Sequence, residues 1–142
     1  MKVYRFFHPI EVRYGDLDPQ GHVNNAKYLT YLEQARIAYF IHLGLRKGNS
    51  FMDLGVILAD IHITYKVPII FGQAIHVGVV FTKLGNKSMH VEQKIENPQS
   101  GQIYATANIV LVAYDYHNQQ TVSIPDHWRK TIDNFENNLI SL

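Results

Sequence analysis

The stretch VRYGDLDPQGHVNNAKYLTYLEQAR, residues 12–36, joins a polar loop directly to the start of an apolar helix. Its first half collects Gly, Asp, Pro and Asn, a composition typical of loops. Asn24 or Asn25 can cap the helix, because an Asn side-chain oxygen accepts a hydrogen bond from a free backbone N–H two or three residues further on. The helix is predicted over residues 26–43, since no Pro or Gly interrupts it and Gly44 follows.

Apolar residues occupy most of the circumference of this predicted helix rather than one stripe. A helix with that pattern is usually covered on several sides, so we expect the rest of the chain to enclose it. Glu33 and Arg36 are its main charged residues. Glu33 is either a surface charge paired locally with Arg36 or a second carboxylate that faces a buried site, where it would require a partner.

Segments with the composition of β-strands lie on both sides of the helix. Residues 2–14 are rich in Val, Tyr, Phe and Ile, and four longer segments follow Gly48: GVILADIHITYKV, QAIHVGVVFTKL, KSMHVEQKIE and QIYATANIVLVAYD. The third segment alternates apolar and polar residues, which is typical of a half-buried strand. Short turns that contain Gly and Asn separate these segments and favour antiparallel neighbours.

The order of elements predicts one α+β domain over residues 1–142. One long apolar helix can cover one face of a sheet, so we expect an antiparallel sheet of about five strands wrapped around the central helix. The segment PDHWRKTIDNFENNL, at about residues 125–139, begins with Pro and Asp and is predicted to form a short final helix.

The composition excludes several classes of protein. The net charge is +1 with neutral histidines, and no run of Lys and Arg is present, so we expect no nucleic-acid partner. The chain has no cysteine, which excludes disulfides, a thiolate nucleophile and a Cys-based zinc site. No secretory leader and no run of ~18 apolar residues is visible, so we expect a cytoplasmic protein without a membrane partner. The histidines show no H-E-x-x-H spacing, and we predict no metal and no cofactor.

The loop ahead of the helix contains the residues that could carry chemistry. Free N–H groups at a helix start can stabilise the negative charge that develops on a substrate carbonyl. Asp18, a few residues upstream, could attack that carbonyl or take a proton from an attacking water. Alternatively, Asp18 and Asn24 only shape the turn and cap the helix. Asp16 follows a glycine and suits a turn, while His22 is either a substrate partner or a packed loop histidine.

Three stretches of the sequence resemble hot-dog acyl-CoA thioesterases of the 4-hydroxybenzoyl-CoA thioesterase type. The signature of that family resembles the first stretch, VRYGDLDPQGHVNNAKYLTYLEQAR. The family's next strands resemble the other two, ITYKVPIIFGQAIHVGV and TKLGNKSMHVEQKI. The likeness runs over about residues 3–114. It implies a hot-dog fold and hydrolysis of an acyl-CoA thioester, with Asp18 as nucleophile or general base. The GHVNN form is more similar to the fatty-acyl branch, in which the residue at His22 assists. The resemblance also implies carbonyl-polarising amides at Val23, Asn24 and Asn25, an acyl chain near Tyr28 and Tyr31, and a helix carboxylate across the site, here Glu33.

The resemblance implies a homodimer or a dimer of dimers, with the active site at the dimer interface. Lys83 and Lys87 flank a tight turn and match the phosphates of CoA, although two lysines beside a hairpin are more often only solvated. A non-catalytic protein that binds or senses acyl-CoA is the alternative function, because a fold alone does not determine function. The length and type of the acyl group, and the choice between CoA and acyl-carrier protein, stay open at this level.

Overall fold

An antiparallel sheet and one long helix form the centre of the computed structural model, which describes residues 2–46, 55–137 and 140–141. In chain order the elements are β1 (Phe6–Ile10), a short 3-10 helix (Tyr14–Asp16), α1 (Asn25–His42), β2 (Val56–Tyr65), β3 (Ile75–Leu84), β4 (Ser88–Glu96), β5 (Ile103–Asp115), β6 (Gln120–Thr121), α2 (Asp126–Glu136) and β7 (Ile140–Ser141).

The strands are ordered β1-β3-β4-β5-β2 across the sheet, and each neighbouring pair in this path is antiparallel. The predicted antiparallel sheet of about five strands is therefore confirmed. The short strand β6 pairs with the end of β5, and β7 pairs in parallel with the end of β3. Although β2 directly follows α1 in the chain, it lies at the far edge of the sheet, beside β5.

The helix α1 packs one face against the sheet. Its buried residues recur at intervals of three and four, as one helical stripe requires: Tyr28, Tyr31, Leu32, Ala35, Arg36, Tyr39 and Phe40. Leu29 and Ile41, on the other face, are 39% and 53% exposed. The expectation that the chain encloses this helix on several sides is wrong for a single chain, because the sheet covers only one side of it.

Local signals determine most of the element ends. The helix α1 begins at Asn25, one residue earlier than predicted, because the Asn24 side-chain oxygen accepts a hydrogen bond from the backbone N–H two residues on, at 2.9 Å. The strand β1 covers only part of the predicted strand at residues 2–14. The helix α2 ends before Asn137, which has a φ of 61°. The rest of the predicted final helix, residues 138–139, lies outside the described residues.

A buried carboxylate connects α2 to the core. Glu136 is 2% exposed, and its Oε2 accepts hydrogen bonds from the Tyr39 hydroxyl and the Phe81 backbone N–H, both at 2.7 Å. The Arg5 guanidinium donates to the Glu136 backbone carbonyl at 2.5 Å. Burial raises the pKa of Glu136 more than these donors lower it. The last turn of α2 is thus attached to α1, to β3 and to the segment before β1.

Candidate active site

A tight turn over residues 18–22 fixes the position of Asp18. The Asp18 N–H donates to the His22 carbonyl at 2.7 Å, and the Gly21 N–H donates to the Asp18 carbonyl at 3.0 Å. Gly21 has a φ of 83°, a conformation that glycine adopts without strain. Asp18 Oδ1 accepts from the N–H groups of Gln20 and His22 at 2.9 and 3.2 Å. Asp18 therefore does shape the turn, but Oδ2 has no hydrogen bond to any described residue.

The other carboxylate of the loop, Asp16, attaches the loop to α1 through hydrogen bonds. The Tyr31 hydroxyl donates to Asp16 Oδ2 at 2.6 Å, the Arg13 N–H donates to the same oxygen at 3.0 Å, and the Asn24 N–H donates to the Asp16 carbonyl at 2.8 Å. Partial burial acts to raise the pKa of Asp16, but the hydrogen bonds from Tyr31 and Arg13 outweigh it and lower the pKa. The loop is thereby attached to the middle of α1.

A cavity of about 470 Å³ opens between the turn at residues 18–22, the start of α1 and the end of β2. This volume lies within the range of small-molecule sites. The cavity brings together Asp18, His22, Asn25 and Tyr28 from the predicted set. Its complete lining is Asp18, His22, Val23, Asn25, Tyr28, Tyr65, Lys66, Val67 and Pro68. Tyr31, predicted to lie near the acyl chain, does not line this cavity, because its hydroxyl donates to Asp16 instead.

Two of the three predicted carbonyl-polarising amides are engaged in hydrogen bonds within the chain. The Val23 N–H donates to the Ile69 carbonyl and the Asn24 N–H donates to the Asp16 carbonyl, both at 2.8 Å, so these two donors are already engaged. The prediction for them is therefore wrong. The Asn25 N–H belongs to the first residue of α1 and makes no hydrogen bond within the described part of the chain. It carries the partial positive charge of a helix N-terminus.

Two tyrosines form the wall of the cavity beside the helix start. The rings of Tyr28 and Tyr65 pack edge to face, with their centroids 4.9 Å apart. The Tyr65 hydroxyl donates to the Asn25 carbonyl at 3.1 Å, and the Tyr28 hydroxyl accepts from the Ile69 N–H at 3.3 Å. Burial, with a smaller contribution from the charge of Asp18, raises the pKa of Tyr28 and keeps it neutral.

Sequence reasoning did not identify Tyr65 and Lys66 as site residues. The alternation of Ile61, Ile63 and Tyr65 along β2 was a usable signal, because it places all three side chains on the inner face of the sheet. It could not show which part of α1 they meet. Lys66 follows directly and adds a cation to the cavity that contains Asp18.

The remaining predicted residues lie away from this cavity. Glu33 lines a separate cavity together with Arg36, and these two side chains form no ion pair within 4.0 Å. The pairing of neighbouring strands across the sheet places Tyr65 of β2 level with Val77 of β3. Lys83 is therefore about 20 Å further along that strand, and Lys87 lies beyond the end of the strand. Within one chain, none of these three side chains reaches Asp18.

The described residues contain no group of three or more His, Asp or Glu side chains that could hold a metal ion. Within the same part of the chain, no helix has the length and apolar composition needed to cross a membrane.

The sequence is similar to proteins that are described as thioesterases. A family model described as thioesterase-like superfamily matches residues 12–132. Long-chain acyl-CoA thioesterase FadM of Escherichia coli (strain K12) is 30% identical over 129 residues, which cover 87% of this chain and 94% of that protein.

Solved structures agree with this match. A thioesterase from Thermus thermophilus, crystallised with coenzyme A and Zn, superposes with a TM-score of 0.84 at 29% identity and covers 99% of this chain and 100% of its own. A 1,4-dihydroxy-2-naphthoyl-CoA thioesterase from Synechocystis has a TM-score of 0.79 at 19% identity, covers 89% of this chain and 94% of its own, and shows the fold alone. The predicted hot-dog fold and family resemblance are confirmed, and the chain belongs to the thioesterase-like superfamily.

Proposed function

We propose that this chain hydrolyses acyl-CoA thioesters to a free carboxylic acid and CoA, with Asp18 as the reacting carboxylate. The observation that carries the proposal is that Asp18 and Asn25, the first residue of α1, line the same cavity. The Escherichia coli relative is named a long-chain acyl-CoA thioesterase, and the Thermus thermophilus relative was crystallised with coenzyme A. Both facts support an acyl-CoA substrate.

In the proposed reaction the thioester carbonyl oxygen accepts a hydrogen bond from the Asn25 N–H, which stabilises the negative charge of the tetrahedral intermediate. Asp18 Oδ2 then acts in one of two ways. It attacks the carbonyl carbon, the C–S bond breaks, and water hydrolyses the resulting mixed anhydride. Otherwise it takes a proton from a water molecule that attacks the same carbon. In both routes CoA leaves as a thiol after protonation, and His22 beside Asp18 can orient the water.

The walls of the cavity suit an apolar acyl group. Tyr28 is buried and neutral, and Tyr65 lies across it, so the two rings exclude water from one side of the thioester. Exclusion of water strengthens the hydrogen bond from the helix start. From this cavity the acyl chain runs along α1. We take a long aliphatic chain as the first substrate to test, because the Escherichia coli relative is named for one.

The edge strand β2 provides a surface for a second copy of the chain. Within the described residues it pairs only with β5, so its other edge is open, and Leu58 and Tyr65 on it are 46% and 45% exposed. Open strand edges favour pairing with another chain. We propose a homodimer in which two β2 strands pair antiparallel about a two-fold axis. A dimer of dimers is the larger assembly that the family resemblance allows.

This arrangement explains the position of the predicted CoA-binding residues. Antiparallel pairing of β2 places the Val56 end of one strand beside the Tyr65 end of the other. Glu33 and Lys87 lie toward the Val56 end of the molecule, and Lys83 is level with Asp60 in the middle of β2. Lys87 of the partner subunit is then on the same side of the assembly as Asp18, where its cationic side chain can contact the phosphates of CoA.

A mixing experiment tests this shared site. Asp18→Asn and Lys87→Ala are purified separately, mixed under conditions that exchange subunits, and assayed at low acyl-CoA concentration. If each site takes Asp18 from one chain and Lys87 from the other, mixed dimers contain one intact site and the mixture is more active than the average of its two components. A mixture no more active than the average of its two components refutes the shared site.

The hydrolysis itself is tested by thiol release from a panel of acyl-CoAs. We expect Asp18→Asn to lower kcat by about 10²- to 10⁴-fold, while its amide oxygen still accepts the two hydrogen bonds of the turn. The matched control is Asp16→Asn, which changes the other carboxylate of the loop and retains most of the kcat of folded protein. Turnover that survives Asp18→Asn contradicts the role of this residue. Tight binding of acyl-CoA by the wild type without turnover supports the alternative, a sensing protein.

A further inference from the structure

A second cavity, of about 260 Å³, lies between the middle of α1 and the first residues of β2. Its lining shares no residue with the cavity that contains Asp18: Glu33, Arg36, Ile37, Phe40, Val56, Ile57, Leu58, Leu111 and Tyr116. Six of the nine side chains are aliphatic or phenyl groups. The Tyr116 hydroxyl already donates to the Val56 carbonyl at 2.5 Å. Arg36 and Glu33 therefore supply the charged groups of an otherwise apolar space.

Arg36 is unusual because its charge is buried without an ion pair. The residue is 5% exposed, and its Nη1 donates to Gln93 Oε1 at 3.0 Å. Gln93 is held in turn by a hydrogen bond from its Nε2 to the Leu32 carbonyl at 2.9 Å. A guanidinium has five N–H donors, and within the described residues no other acceptor engages those of Arg36. No described carboxylate lies within 4.0 Å of it.

The surroundings of Arg36 favour the binding of an anion. Burial lowers the pKa of Arg36, and the charge of Glu33 opposes that effect from a distance. A buried charge is costly unless a counter-charge and hydrogen bonds compensate it. Glu33 is exposed and makes no ion pair with Arg36, so the compensation within the described chain is incomplete.

We propose that this cavity binds a small monocarboxylic acid, with its carboxylate on Arg36 and its apolar body against Ile37, Phe40 and Leu111. The planar guanidinium matches a carboxylate through two parallel hydrogen bonds. The cavity is smaller than the sites that hold drug-sized ligands, which restricts the ligand to a short or medium chain. Thioester hydrolysis releases acids of this class, so the link to a reaction product rests on the proposed function, whereas the site itself does not.

The single tryptophan of the chain offers a direct readout. The Trp128 ring lies 5.2 Å, centroid to centroid, from Phe40, which lines the cavity. Octanoate titrated into the wild-type protein at pH 7 is expected to change the tryptophan fluorescence and to saturate. Octanol, which has the same chain without the charge, is the matched ligand control and should give no saturable change.

Three variants distinguish this site from the cavity of Asp18. Arg36→Met keeps the length of the side chain without the charge and should weaken octanoate binding by about ten-fold or more. Glu33→Gln removes a nearby negative charge and should strengthen binding by roughly two- to five-fold. Asp18→Asn changes only the other cavity and should leave octanoate binding unaltered, whether or not it abolishes hydrolysis.

Each contrary result overturns the proposal. Absence of saturable octanoate binding, equal binding of octanol, or a Kd unchanged by Arg36→Met shows that Arg36 does not recognise a carboxylate. If Arg36→Met does not fold, as judged by circular dichroism, Glu33→Gln decides, because this exposed substitution leaves the core intact. Weaker octanoate binding by Glu33→Gln contradicts an anionic ligand, and loss of binding in Asp18→Asn places the acid in the other cavity.

Discussion

The hydrogen bond from the Tyr31 hydroxyl to Asp16 should be a measurable, pH-dependent connection between the loop that contains Asp18 and α1. Its length, 2.6 Å, is typical of a hydroxyl that donates to an ionised carboxylate. The change Tyr31→Phe removes this bond and almost nothing else, because the ring stays buried in the same helix face. We therefore expect a loss of stability that depends on the charge of Asp16.

The magnitude follows from the type of bond. Hydrogen bonds to charged groups contribute about 1.5–3 kcal/mol, and partial solvent access at Asp16 reduces this to about 1–2 kcal/mol at pH 7. For a chain of this length, that corresponds to a fall in Tm of roughly 3–8 °C. Because the bond from Tyr31 lowers the pKa of Asp16 in the folded state, its contribution is complete above the unfolded value of about 3.9. It is lost as the pH falls through the lower folded pKa.

Urea denaturation of the wild type and of Tyr31→Phe between pH 7 and pH 3 measures this difference. Tyr28→Phe is the matched control, since it removes a hydroxyl that accepts from the backbone N–H of Ile69 rather than one that binds a carboxylate. Its cost should not narrow at acid pH in the same way. A double-mutant cycle with Asp16→Asn should give a coupling energy of about 1 kcal/mol or more at pH 7. A cost of Tyr31→Phe that is equal at pH 7 and pH 3, or a coupling energy near zero, refutes the reasoning.

Three further predictions concern the core, the sheet and the start of α1. Burial raises the pKa of Glu136, so its contribution to the free energy of unfolding is complete below about pH 4.3 and is lost as the pH rises through its folded pKa. Glu136→Gln should remove this loss, so a plot of Tm against pH should be flatter for the variant than for the wild type. A Cβ at Gly78 would lie 2.8 Å from the Tyr4 ring, so Gly78→Ala should lower the free energy of unfolding in urea by about 1–3 kcal/mol. As the control, Gly15→Ala, whose Cβ would have no atom within 4 Å, should change it by less than about 0.5 kcal/mol. Tyr65→Phe removes the donor to the first carbonyl of α1 and should lower kcat/KM for acyl-CoA by about two- to ten-fold with little change in Tm, and an unchanged kcat/KM contradicts its positioning role.

The sequence predicted the features that depend on neighbours in the chain. The Asn24 cap and the turn around Asp18 follow from side chains that bond to their own backbone within a few residues. The alternation in β4 places Met89 and Val91 on the inner face because successive strand residues point to opposite sides. Together with the resemblance to hot-dog thioesterases, these signals predicted the fold and the candidate carboxylate.

The features that depend on distant pairing could not be predicted in this way. The hydrogen bond from the Val23 N–H to the Ile69 carbonyl requires the segment after β2 to lie against the loop that contains Asp18, and no local pattern shows that contact. The same holds for Tyr65, which reaches the start of α1 only because β2 crosses to the far edge of the sheet. Tyr31 lies away from the cavity because its hydroxyl donates to Asp16, which local patterns also did not show.

The apolar circumference of α1 shows how a correct observation led to an incorrect prediction. The apolar surface of a helix can be buried by its own chain or by another chain. The structure of one chain shows only the part that its own residues bury. Leu29 and Ile41 stay exposed on α1, and β2 keeps an open edge, so the uncovered apolar surface belongs to the two elements that frame both cavities. In the homodimer proposed above, the second copy pairs with β2 and covers that edge. Measurement of molecular mass by light scattering decides this point, since a monomer at assay concentration leaves the outer face of α1 unexplained and contradicts the shared site.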